Sequence, residues 1–194
     1  MSTAFNTAIT LIGNSYIHSL VKEIGARYDK LLKDGYDSES METVAKLFYG
    51  EDKGSTHPSY EEIHAKWFCL EECDTDSIYF RSANWPLIEI QDHILKHASS
   101  IDPRLIVFME YRDEAPQELG SCYKILDKGR VIAFESKIDL SSFRIVEEQE
   151  DKSSEEDLTM EDVYEKWNLN RKSLFDTLKK KYKWAKDDYF TDWK

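Results

Sequence analysis

An α+β fold built on an antiparallel sheet is predicted by three observations. Segments with a strand-like apolar pattern alternate with helix-like ones in the order strand, helix, strand, strand, helix, strand. The run LIVFMEY (105–111) is almost continuously apolar, as a central strand requires. The segments SCYKIL and RVIAFES flank DKG (127–129), a strong hairpin turn.

Each element has its own signal. AFNTAITLIG (4–13) reads as a strand that stops at Gly13. Asn14 suits an N-cap, and a helix is expected from there to about Lys33. At about 100° per residue, Ile17, Leu20, Val21, Ile24, Tyr28 and Leu31 share one face. Residues 35–64 are polar and punctuated by Gly35, Gly50, Gly54 and Pro58, and read as an insertion that holds a short helical pattern, METVAKLFYG. KWFCLEE and SIYFRSA are two strands joined by CDTD. Pro86 is expected in the first turn of the next helix, whose buried stripe is Leu87, Ile90, Ile94, Leu95 and Ala98. The order matches a ferredoxin-like split βαβ sheet with an added hairpin.

After Phe143 the composition shifts. Residues 147–165 hold ten acidic residues and one basic, whereas residues 166–194 hold nine basic and four acidic. The expected organisation is a ferredoxin-like domain over 1–146, an acidic linker over 147–158 and a helical hairpin tail over 159–194. In the tail, Thr159 caps a short helix carrying Val163 and Trp167. Asn168 turns the corner, Leu169 plugs the crease and Asn170 caps a second helix. Leu174, Phe175, Leu178, Tyr182 and Ala185 then form one face, opposite a row of lysines.

Composition limits function. The 25 aromatic residues (11 Tyr, 9 Phe, 5 Trp) suffice for a packed core. A formal net charge of −12 repels nucleic acid and acidic membranes, so either contact needs a local basic patch. No apolar run approaches the roughly 18–20 residues of a membrane span, so no membrane association is expected. Three cysteines and the opening MSTAFNTAIT, with no export pattern, point to a reducing cytoplasm.

KWFCLEE, IYFRSANWPLIEI, FMEYRDEAPQELGSCY and GRVIAFES together resemble the YubB-like ferredoxin-like family, uncharacterised proteins of plasmids, phages and other mobile elements. The resemblance covers roughly residues 5–137. It is carried by Trp67, the Ser82–Trp85–Pro86 corner, and Glu114 to Gly120 leading into the hairpin. It implies a ferredoxin-like fold and a mobile-element origin, and it brings no catalytic residue with it.

Candidate chemistry is sparse. Glu110, Asp113, Glu114 and Glu118 crowd one strand end, where carboxylates can hold a divalent cation or form a solvated rim. His93 and His97 stand one helical turn apart, and Cys69 and Cys73 lie near His57 and His64 in sequence, but neither set has a zinc-site spacing. No metal and no cofactor are expected. RNA recognition is disfavoured, because the AITLIG part of the first strand has no aromatic residue and IYFRSA lacks the Gly and basic residues of the usual signature.

The favoured expectation is a non-enzymatic interaction protein of a mobile genetic element, an acidic inhibitor of a host nucleic-acid-processing or defence protein. Its partner would be a protein, held by Trp184, Tyr189, Phe190 and Trp193; a homodimer is compatible with the same reading. The alternative is a DNA-binding regulator whose C-terminal hairpin acts as a helix-turn-helix. Arg171, Lys172 and Ser173 would open its recognition helix, with Lys179, Lys180 and Lys183 following. A metal-dependent enzyme is the third reading.

Overall fold

The computed structural model describes residues 4–49, 67–84, 86–114, 118–146 and 157–186. At its centre lie β1 (Ala4–Ile12), β2 (Phe68–Cys73), β3 (Ser77–Ala83), β4 (Ile106–Asp113), β5 (Glu118–Asp127) and β6 (Arg130–Asp139). They form one antiparallel sheet in the order β2-β3-β1-β4-β5-β6. Helices α1 (Ile17–Lys33), α2 (Met41–Tyr49) and α3 (Ile88–Ala98) cover a first face. A fourth helix, α4 (Met160–Lys181), lies on the second. Between sheet and α4, β7 (Arg144–Val146) and β8 (Asp157–Thr159) make a short parallel pair. Among the described residues, no helix is long and apolar enough to cross a membrane.

The first face follows directly from residue periodicity. Alternate residues of β1 and β4, including Ile9, Leu11, Val107 and Met109, point to one side and are buried there. The six α1 residues expected on the core stripe are the six that are buried. Each such large apolar side chain contributes roughly 1.5–3 kcal/mol through burial. Val44, Leu47 and Phe48 of α2 enter the same core, so this part of the expected insertion is a core element by packing. Residues 50–64 of that stretch lie outside the described residues.

Two details of α3 depart from expectation. The helix begins at Ile88, two residues after Pro86, because Leu87 has a left-handed backbone (φ 56°) while its side chain is fully buried. Gln91 joins the buried stripe, and its amide Nε2 donates to the carbonyls of Val107 (2.6 Å) and Cys122 (2.9 Å). The DKG turn is as its residues demand. Lys128 (φ 51°) and Gly129 (φ 77°) are both left-handed, giving the two-residue turn whose twist suits a hairpin.

The C-terminal region is where the structure corrects the sequence reading. Met160–Lys181 is one uninterrupted helix, so the expected corner at Asn168 is absent. Asn168 accepts a hydrogen bond from Arg171 (3.2 Å), and Leu169 is 63% exposed, with no crease to plug. The cause is a single buried stripe: Val163, Trp167, Arg171, Phe175 and Leu178 recur at helical spacing and all face the sheet. Breaking the helix at Asn168 would take half of that stripe off the sheet. Thr159 caps the helix as expected, in a reciprocal capping box with Asp162. A boundary at residue 146 therefore separates the sheet from one of its own covering layers.

Candidate binding groove

The site is built by the placement of α4. Even-numbered residues of β4 and odd-numbered residues of β5 face α4, bringing Ile106, Phe108, Tyr123 and Ile125 against Phe175 and Leu178. Phe108 and Tyr123 stack with ring centroids 4.3 Å apart, and Tyr123 meets Phe175 at 5.5 Å. Further along, Leu119, Leu140 and Leu158 enclose Val163 and Trp167.

Polar contacts fix where along the sheet the helix sits. The Trp167 indole donates to Ser121 Oγ at 2.7 Å in a buried site. Arg171 Nε stands 3.5 Å from Glu110 Oε2, with both side chains almost wholly buried. The Arg171 guanidinium also lies 5.1 Å from the Phe108 ring centroid. Burial raises the Tyr123 hydroxyl pKa, and the nearby Arg171 charge offsets part of that shift.

The candidate residues from sequence are dispersed by this arrangement. Arg171 is buried against Glu110 and does not open a recognition helix; presenting it to DNA would break its pairing with a buried carboxylate. Lys172, Ser173, Lys180 and Lys183 are exposed and Lys179 half-buried, near Asp176. Trp184 is half-buried against Tyr182 and the α4 core. Tyr189, Phe190 and Trp193 lie outside the described residues, as do Trp85, His57 and His64. Trp67 is half-buried, with the Arg81 guanidinium 6.0 Å from its ring centroid.

The four carboxylates at the end of β4 also separate. Glu110 faces Arg171, Asp113 accepts from the Glu118 amide (3.1 Å), Glu114 pairs with Arg81, and Glu118 pairs with Lys137 (2.5 Å). Glu110 is thus an internal ion-pair partner and does not belong to a solvated rim. His93 and His97 stack with parallel rings, centroids 6.4 Å apart. Among the described residues, no three His, Cys, Asp or Glu side chains are grouped to hold a metal ion.

Two hollows remain. Because α4 covers the β4–β6 half of its face, a groove runs beside it over β1 and β3. Ala8, Tyr79 and Trp167 supply its apolar lining, Glu110 lies within it, and Asn6, Glu71 and Arg112 add polar groups. Arg112 is held in place by donating to the Tyr164 hydroxyl at 2.8 Å. The groove's cavity is about 110 Å³. On the opposite face, a cleft of about 400 Å³ opens between the start of α3 and the β5–β6 hairpin. Tyr111, Glu118, Cys122, Glu135 and Lys137 line it, with Phe5, Asn84, Pro86 and Ile88. Tyr111 lies so close over Gly120 that any added side chain would collide with its ring. Burial pushes the Cys122 thiol up to about 12, so this cysteine is a neutral packing group, not a nucleophile.

Comparison with family models, curated proteins and solved structures gave no match.

Sequence reasoning missed Gln91, Ser121 and the pairing of Arg171 with Glu110. One signal was available. Glu110 interrupts the apolar run 105–111, and Arg171 interrupts an apolar stripe spaced by four residues on α4. Two lone, opposite charges in apolar settings call for each other.

Proposed function

We propose that this protein is a non-enzymatic interaction protein that receives a side chain of a protein partner in the groove beside α4. The observation carrying this reading is the size and lining of that groove. About 110 Å³ is less than the roughly 150 Å³ cavity that holds benzene, and far below the ~300–1,000 Å³ typical of metabolite sites. It suits one aliphatic side chain. An apolar pocket ringed by polar groups is the form that interface anchors take. Trp167 and Arg112 form its walls without needing to order on binding, because Ser121 and Tyr164 already hold them.

Other features support the wider reading. The strand order β2-β3-β1-β4, with α1 and α3 on one face, favours a ferredoxin-like core extended by β5 and β6. The net charge of −12 favours a basic partner, and the resemblance to mobile-element proteins makes a host protein the natural one. The larger cleft favours a second reading, a small-molecule site, on volume alone.

The test is a two-dimensional NMR titration with N-acetyl-leucinamide and N-acetyl-lysinamide. Leucinamide is expected to shift the Trp167 indole N–H and the Ala8 methyl resonances, and Ala8→Leu is expected to abolish the shifts by filling the pocket. Shifts confined to Tyr111 and Cys122 would transfer the function to the cleft.

A further inference from the structure

The two ends of the sheet are finished differently. β2 is short, six residues, and a register shift between Leu70 and Glu72 breaks its regularity. Such bulges are one way in which natural sheets avoid edge-to-edge pairing. β6 is ten residues long and keeps continuous register with β5 from Arg130 to Asp139, with no bulge and no proline. Among the described residues it is the last strand of the sheet, with nothing paired to its outer side.

The pattern of β6 determines what can pair with it. In a two-residue hairpin the closing pair, here Asp127 and Arg130, is hydrogen-bonded. Counting from it, the backbone N–H and C=O groups of Val131, Ala133, Glu135, Lys137 and Asp139 point outward. The same odd positions carry side chains on the α3 side of the sheet. Ile132, Phe134 and Ile138 are half-buried on the α4 side and keep apolar surface near the edge.

We propose that β6 pairs antiparallel with β6 of a second copy of this chain, about a two-fold axis at Ser136. The register follows from charge. Centring on Glu135 sets Glu135 against its own copy, and centring on Lys137 does the same with two ammonium groups; like charges directly opposite destabilise a sheet. Centring on Ser136 sets Glu135 opposite Lys137 of the second copy, twice by symmetry, and Phe134 opposite Ile138. The lysine already bonded to Glu118 then lies between two carboxylates. The charges that would repel a partner in neighbouring registers therefore select this one. Glu135 and Lys137 also line the 400 Å³ cleft, so the second copy extends the wall of each cleft.

Sedimentation equilibrium of the full chain tests the proposal, with circular dichroism confirming that each variant is folded. The wild type is expected at twice 22.8 kDa. Glu135→Lys and Lys137→Glu alone each place like charges opposite at two symmetric positions, and each is expected to weaken dimerisation about tenfold or more. The double swap, Glu135→Lys with Lys137→Glu, restores both pairs and is expected to restore the dimer. A monomeric wild type overturns the proposal, and so does a dimer indifferent to the single reversals or not rescued by the swap.

Discussion

On its first face the sheet meets three helices through aliphatic and aromatic side chains, with Gln91 as a buried amide bonded to two strand carbonyls and the buried Lys124 of β5 paired to a partly exposed Asp92 of α3 at 2.5 Å. On its second face α4 adds to its apolar residues the Glu110–Arg171 ion pair and the Trp167–Ser121 hydrogen bond. Apolar contact is non-directional and tolerates small slides. A buried polar group left unmatched is costly, so polar contacts hold a helix at one position. The difference suits the geometry. On the first face, short connections also tie α1 to β1 and α3 to β4. α4 runs over only half of a face and needs a separate device to set the width of the groove beside it.

The strongest way to break this comparison is to remove one side. A chain ending at Val146 would uncover Phe108, Tyr123, Ile125 and Leu119 at once. The expected product is a molten or insoluble body that binds a hydrophobic dye and loses near-ultraviolet circular dichroism. A soluble product with cooperative unfolding would show that α4 is an appendage.

Single changes at the ion pair come next. Glu110→Ala or Arg171→Ala leaves a buried charge, and each is expected to cost about 3–5 kcal/mol in urea unfolding. The double replacement Glu110→Leu with Arg171→Met is expected to be near neutral, because both charges leave together. A double variant destabilised by the sum of the two single costs would mean that the charges are not coupled. On the first face, Gln91→Ala is expected to cost less, about 1–3 kcal/mol, since two carbonyls lose a neutral donor.

A pH scan sharpens the comparison without mutation. Burial raises the Cys122 thiol to about 12 and the Cys73 thiol to about 11, from the usual 9.0. Nearby Asp29 and Glu72 add to the Cys73 shift. The folded chain thus keeps protons that the unfolded chain releases from about pH 9. Stability is fully present below pH 9 and is expected to fall as pH rises from 9 toward 12. A flat urea midpoint across that window would contradict the burial of these thiols. The smallest effect belongs to the outer side of α4, where Lys172→Ala or Lys180→Ala is expected to change stability by no more than about 0.5 kcal/mol.

The contrast between faces also explains what the sequence made legible. Residues of α1 announced the first face because burial there follows hydrophobic period alone, and the strands and the DKG turn were equally local in origin. The position of α4 was not local. Asn168, Leu169 and Asn170 carry real turn and cap propensities, and a long-range demand overrode them, the burial of Trp167, Arg171 and Phe175 on a sheet completed far earlier in the chain. Arg171 was read as a surface cation because its partner, Glu110, is 61 positions away in sequence. The groove was invisible for the same reason, since Ala8, Tyr79 and Trp167 meet only in three dimensions.

The central claim, that α4 is a fixed layer of the domain and therefore a rigid wall of the groove, is tested most directly by native-state hydrogen exchange across low urea concentrations. The slowest amides of α4, around Trp167, Arg171 and Phe175, are expected to open with the same free energy and urea dependence as those of β4 and β5. Exchange of the α4 amides through a separate, lower-energy opening, with β4 and β5 still protected, would contradict it.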